Sequence, residues 1–160
     1  MIDIPSIEGL GVIIEWCKTR GVMVEFVKTP NGGVYIHDEK RIKISCHLGP
    51  EKQLHTLLHE CGHHLVETKE RDSTDRFGNG YRSSDIDVTR TFVHQVDIID
   101  EEFEAWARGL KLAERLNVDL SVERYNRTKA DCIKTHLKAA LKVDGYGHGV
   151  DNKEAKTHEA

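Results

Sequence analysis

No apolar run in these 160 residues approaches the roughly 20 that a bilayer crossing needs, so no membrane helix is expected. An excess of positive charge is also missing. The net charge is −4, which leaves no overall basic field to attract nucleic acid, and direct nucleic-acid binding is not expected. The opening stretch, MIDIPSIEGLGVII, lacks the basic start of a signal peptide. Four cysteines (Cys17, Cys46, Cys61, Cys132) stand apart, with no CxxC pair among them. They read as reduced thiols, packed as small apolar side chains in a cytoplasmic protein. With 38% hydrophobic and 31% charged residues, the composition suits one domain with a modest core, expected over residues 1–142. The tail at 143–160 has three glycines and no hydrophobic pattern, and reads as disordered.

Against these absences stands one dense signal. Residues 59–63 read His-Glu-Cys-Gly-His. Two histidines four apart on a helix project from one face, one turn apart, and can reach a single Zn²⁺. The glutamate between them, Glu60, is placed to act on a bound water. This is the HExxH signature of zinc hydrolases. Its surroundings suit a helix: residues 51–67 lack proline, and Leu54, Leu57, Leu58, Cys61 and Leu65 share one side at about 100° per residue. His59 and His63 share the other with Gly62 and Val66. The bland alternative is a pair of histidines meeting by accident, which would need the glutamate, the spacing and the helical pattern to coincide.

Upstream, residues 6–20 form a helical pattern. Ser6 is a candidate cap, Ile7, Leu10, Ile13, Ile14 and Cys17 form its stripe, and Gly21 can end it. Strand patterns follow at 22–28, 34–37 and 41–45 (RIKIS), separated by Thr29-Pro-Asn-Gly-Gly33 and Asp38-Glu-Lys40. A small antiparallel meander is expected. Residues 68–90 are polar and long for a structureless connection; Phe77 and Tyr81 are their only aromatics. A short helix over 91–99, a clear one over 100–117 and a last one over 121–141 complete the chain. Val122, Tyr125, Ala130, Cys132, Ile133, Leu137 and Leu141 are expected to supply the apolar contacts of that last helix.

A catalytic zinc takes three protein ligands and keeps one position open. The third must come from elsewhere, and the helix at 100–117 offers Glu101, Glu102 and Glu104. With Glu102 set at 0°, Trp106, Gly109, Ala113 and Leu116 lie within about 40° of it, so Glu102 sits in the middle of an apolar face. Glu104, near 200°, should face water, and Glu101, near 260°, falls at the margin. A carboxylate centred on a buried face is costly unless a positive charge meets it. Glu102 is the leading candidate, with Glu101, Glu104 and His94 as alternatives. Ala105 and Gly109 are small enough to let the two helices approach closely. His55, one turn before His59, suits contact with substrate better than ligation.

These residues carry a family resemblance. RIKIS at 41–45, LLHECGHHL at 57–65 and EFEAW at 102–106, in that order, resemble the gluzincin branch of zinc metallopeptidases. Within it the chain looks like the small ImmA/IrrE type of metallo-endopeptidase, including compact versions carried by phages and mobile elements. The resemblance spans roughly residues 6–117. It implies an α+β, zincin-like fold: an N-terminal helix, a small antiparallel sheet, the HExxH helix, a second metal-ligand helix and a C-terminal helix. It also implies His59, His63 and Glu102 as zinc ligands and Glu60 as general base. The chain departs at Trp106, where the family often has Asn or Asp four residues after the ligand glutamate.

The expected activity is zinc-dependent hydrolysis of a peptide bond in a protein or peptide substrate, in the cytoplasm (the host's, if phage-encoded). Zinc would polarise the carbonyl and acidify its bound water, while Glu60 takes and returns the proton. Tyr81 and His55 are candidates to steady the oxyanion. Two other readings compete. A non-catalytic, zinc-bearing module that binds a regulatory or host protein would have no use for Glu60. A SprT-like protease acting on DNA-bound proteins would call for a basic surface, which the net charge opposes.

Overall fold

A computed structural model describes residues 4–30, 32–69 and 91–143. The polar stretch at 70–90, with Phe77 and Tyr81, and the tail at 144–160 lie outside them. The described residues form four helices and three strands in an α+β arrangement: α1 (Ile4–Thr19), β1 (Met23–Val27), β2 (Gly33–Ile36), β3 (Arg41–Ser45), α2 (Pro50–Lys69), α3 (Phe92–Arg115) and α4 (Val122–Val143). None of the described helices is long and apolar enough to cross a membrane.

α1 starts earlier than its pattern predicts, so Ser6 is a buried residue of the helix and not its cap. Leu10, Ile13 and Cys17 are buried as expected, Trp16 joins them, and Ile7 stays exposed. Gly21 ends the helix as predicted. It takes a left-handed φ of 69°, while Val22 N–H reaches Cys17 O at 2.9 Å and Gly21 N–H reaches Lys18 O at 3.0 Å. That pairing satisfies the last carbonyls of the helix.

The sheet is mixed, where a meander of antiparallel strands was expected. Its order is β1-β3-β2, with β1 parallel to β3 and β2 antiparallel to it. β1 and β2 are therefore no hairpin: they lie on opposite sides of β3. Ser45 N–H donates to Gly32 O at 2.9 Å and Cys46 N–H to Val27 O at 3.0 Å, so the end of β3 is held from both sides. Period-two patterning defines the faces of strands but says nothing of which strand lies between which. Ile42 and Ile44 of the central strand are fully buried, with α2 packed on β3.

α3 is one continuous helix, where a break near residue 100 was expected. Thr91 caps it, its Oγ1 accepting the His94 N–H at 3.1 Å, and no Gly or Pro interrupts residues 92–100. At its other end Asn117, with φ 52°, plays the part that Gly21 plays for α1. α2 and α3 touch backbone to backbone. A β-carbon on Gly62 would run into the Ala105 carbonyl, and one on Gly109 into the Leu58 carbonyl. The small residues foreseen on α3 do bring the two helices together, and Gly62 does the same from inside the HExxH segment. α4 is more exposed than its pattern predicts. It buries Tyr125, Ile133 and Ala140, while Val122, Ala130, Leu137 and Leu141 stay exposed.

Candidate metal centre

Pro50 opens α2 at a position where its missing N–H is harmless, and the rest of the helix is wrapped by α1, the sheet and α3. Its inner turns bury Leu54, Leu57, Leu58 and Cys61 completely, so the helix cannot rotate to offer another face. His59, Glu60 and His63 are thereby held at the floor of a cleft. The cleft has a volume of about 690 Å³, with β2 on one side and α4 on the other. The two imidazoles meet edge to face, with Nε2 atoms 3.3 Å apart.

α3 brings Glu102 onto this pair. Its Oε2 lies 3.2 Å from His59 Nε2 and its Oε1 lies 3.4 Å from His63 Nε2, with the side chain almost fully buried. A tetrahedral ion with bonds of about 2.0–2.1 Å has ligand-to-ligand edges of about 3.3–3.4 Å. The imidazole pair falls on that edge and each carboxylate oxygen stands within about 0.1 Å of it from one of the two rings, so the two imidazoles and the carboxylate are grouped closely enough to hold a metal ion. Burial works against ionising Glu102, but its contacts with His59 and His63 hold it far below the usual carboxylate range. Burial likewise opposes charge on His63, yet Glu101 and Glu102 outweigh it and raise its pKa to about 10. Without metal, then, a proton on His63 stands in for the cation that this buried carboxylate needs.

The competitors for the third position are sorted by the same helix. Glu101 is buried rather than marginal, and its Oε1 lies 3.4 Å from His63 Nδ1, the ring nitrogen turned away from Glu102. It is placed to orient that ring and raise its basicity. Glu104 turns away and pairs with Arg108 at 2.8 Å. His94 is buried near the start of α3, eight residues and about 12 Å along the helix from Glu102, and is outside the cluster. Trp106 occupies the place where a polar residue was expected from the resemblance. Its ring stacks on His59 with centroids 4.3 Å apart and planes 18° from parallel. His59 Nδ1 is buried with no hydrogen-bond partner among the described residues, so an aromatic plane fixes this ring where an acceptor could have done so.

Glu60 reaches into the cleft beside the pair. Burial raises its pKa, while His59 and His63 pull it back; the backbone N–H of Tyr35 on β2 donates to it. Its Oε1 occupies the space over Gly33, where a β-carbon would come within 3.0 Å of it. Behind β2, the Tyr35 hydroxyl donates to Glu67 at 2.9 Å and so must accept from His64 Nδ1, also at 2.9 Å. β2 is in this way tied to α2 on both sides of the turn that carries His59, Glu60 and His63.

His55 is not on the cleft wall. It is buried, bonded through Nδ1 to Thr128 Oγ1 at 2.9 Å, with its ring edge-on to Tyr125. Tyr81 lies outside the described residues. Two residues that sequence reasoning missed face the site from α4. Cys132 Sγ and His136 Nε2 each lie 3.6 Å from Glu102 Oε2. The signal was a cysteine and a histidine four apart within a polar stripe (Thr128, Asp131, Cys132, Thr135, His136), which reads as an ordinary amphipathic face unless its partner is known. No family model, curated protein or solved structure matches this chain.

Proposed function

We propose that this chain is a zinc-dependent metallopeptidase of zincin-like fold, akin to the ImmA/IrrE type, that hydrolyses a peptide bond in a protein substrate in the cytoplasm. The observation that carries the reading is the convergence of His59, His63 and Glu102 at coordination spacing, with an unligated carboxylate, Glu60, beside them in an open cleft. A site that only held structure together would have no use for that carboxylate. When bound, zinc supplies Lewis acidity toward a carbonyl oxygen.

The chain's own residues do the rest. Glu60, with a pKa raised by burial, is a stronger base than a free carboxylate; it takes a proton from water in the cleft and returns it to the leaving amine. The Tyr35 N–H and the packing of Gly33 hold its carboxylate in place. Among the described residues β2 pairs with β3 only, so its outer edge offers backbone groups to an extended peptide. His136, on the wall opposite β2, is within the cleft where His55 is not.

The test joins metal content to turnover. Native mass spectrometry of the wild type, His59→Ala and Glu60→Gln is compared with cleavage of a denatured protein such as casein. Glu60→Gln should keep zinc and lose hydrolysis; His59→Ala should lose both. Wild-type cleavage by Glu60→Gln would refute the proposed mechanism.

A further inference from the structure

The metal centre gathers more anionic groups than one ion needs. Glu60 and Glu102 line the cleft and Glu101 is buried behind His63, so one divalent cation on neutral histidines leaves the three with a residual negative charge. A second set of ligand atoms adjoins the first. Cys132 and His136 are four apart on α4, so both side chains leave the helix on one face, one turn apart. Sγ and Nε2 each stand 3.6 Å from Glu102 Oε2, and the three ligand atoms lie within 4.8 Å of one another. An ion with bonds of about 2.3 Å to sulfur and about 2.0–2.1 Å to oxygen and nitrogen has S-to-O edges of roughly 3.5–3.6 Å and N-to-O edges of roughly 3.3–3.4 Å. The sulfur already stands at that spacing from Oε2, the imidazole nitrogen is a few tenths of an ångström beyond it, and sulfur and nitrogen lie within 4.8 Å of each other.

We propose that Glu102, Cys132 and His136 form a second divalent-metal position next to the His59–His63–Glu102 site, with Glu102 shared between the two. One sulfur, one imidazole and one carboxylate favour a thiophilic ion of the zinc class over magnesium or calcium. On binding, the Cys132 thiol loses its proton to solvent and ligates as thiolate. The anionic groups are then four, Glu60, Glu101, Glu102 and Cys132, and two dications balance them. The ion ties α4 to α3 across the cleft. This inference rests on the metal-binding part of the proposed function and is independent of peptide hydrolysis.

The experiment titrates the metal-free full-length chain with Co²⁺, reading bound cobalt per chain and the ultraviolet thiolate-to-cobalt charge-transfer band. Two equivalents are expected, one of them carrying the band. Cys132→Ser and His136→Ala should each lose one equivalent and the band while keeping the other. His59→Ala should keep the band. One equivalent in the wild type overturns the proposal, whether or not it carries the band, and so does a band that survives Cys132→Ser. Glu60→Gln should still bind two. Two equivalents without any hydrolysis would sink the peptidase reading alone, and one equivalent with hydrolysis would sink the second site alone.

Discussion

The α-carbon of Gly62 lies against the backbone carbonyl of Ala105, with no room between them for a β-carbon. Gly62 stands in the HExxH segment one residue before the candidate ligand His63, so the contact sets how near Glu102 comes to the histidines. Backbone cannot swing aside as a side chain does. Gly62→Ala is expected to push α3 outward, weakening zinc binding and destabilising the fold by at least the ~1–3 kcal/mol usual for overpacking. Thermal melts with and without zinc check this; an unchanged melting temperature and zinc affinity would show that the helices separate at no cost.

The acidic residues of α3 should differ in kind. Glu102→Ala removes a ligand and should abolish tight zinc binding. Glu101→Gln leaves the ligands intact but loses the carboxylate facing His63 Nδ1, and is expected to weaken zinc by about 10–100-fold. Glu104→Ala breaks a partly exposed pair with Arg108 and should leave affinity unchanged, with a stability effect within about 0.5 kcal/mol. Competition with a chelator ranks the three. Equal losses in all of them would refute the orientation of α3 on which the site depends.

Zinc uptake should release a proton at neutral pH. His63 is protonated in the metal-free protein, since Glu101 and Glu102 raise its pKa to about 10, and it must be neutral to ligate. Calorimetric titration of Cys132→Ser, which keeps only the His59–His63–Glu102 site, in buffers of different ionisation enthalpy measures the release, which should vanish above about pH 10. The same shift carries a sign for stability. A raised folded-state pKa stabilises the metal-free fold fully below the unfolded histidine value of about 6.5, and that contribution is lost as pH climbs toward 10. Metal-free protein should therefore melt progressively lower between those limits, and His63→Gln should flatten the slope.

The amino-acid sequence alone determined most of the elements and the first candidate metal ligands. HECGH at 59–63 encodes its geometry locally, because four residues on a helix make one turn whatever surrounds them. The 3.6-residue period likewise centred Glu102 on the apolar face of α3, and the left-handed Gly21 ended α1 where it stands in the chain. Tertiary structure decided what no local period carries. The strand patterns were legible, but that β3 lies between β1 and β2, with β1 as its parallel neighbour, was not. Glu101 turned inward because His63 offered its second nitrogen, a partner that belongs to another helix. Cys132 and His136 read as one more polar stripe until packing of α4 on α3 set them beside Glu102. A residue's face is written in its neighbours along the chain; its chemical partner depends on which faces lose water against each other, and that is settled only when the whole core closes.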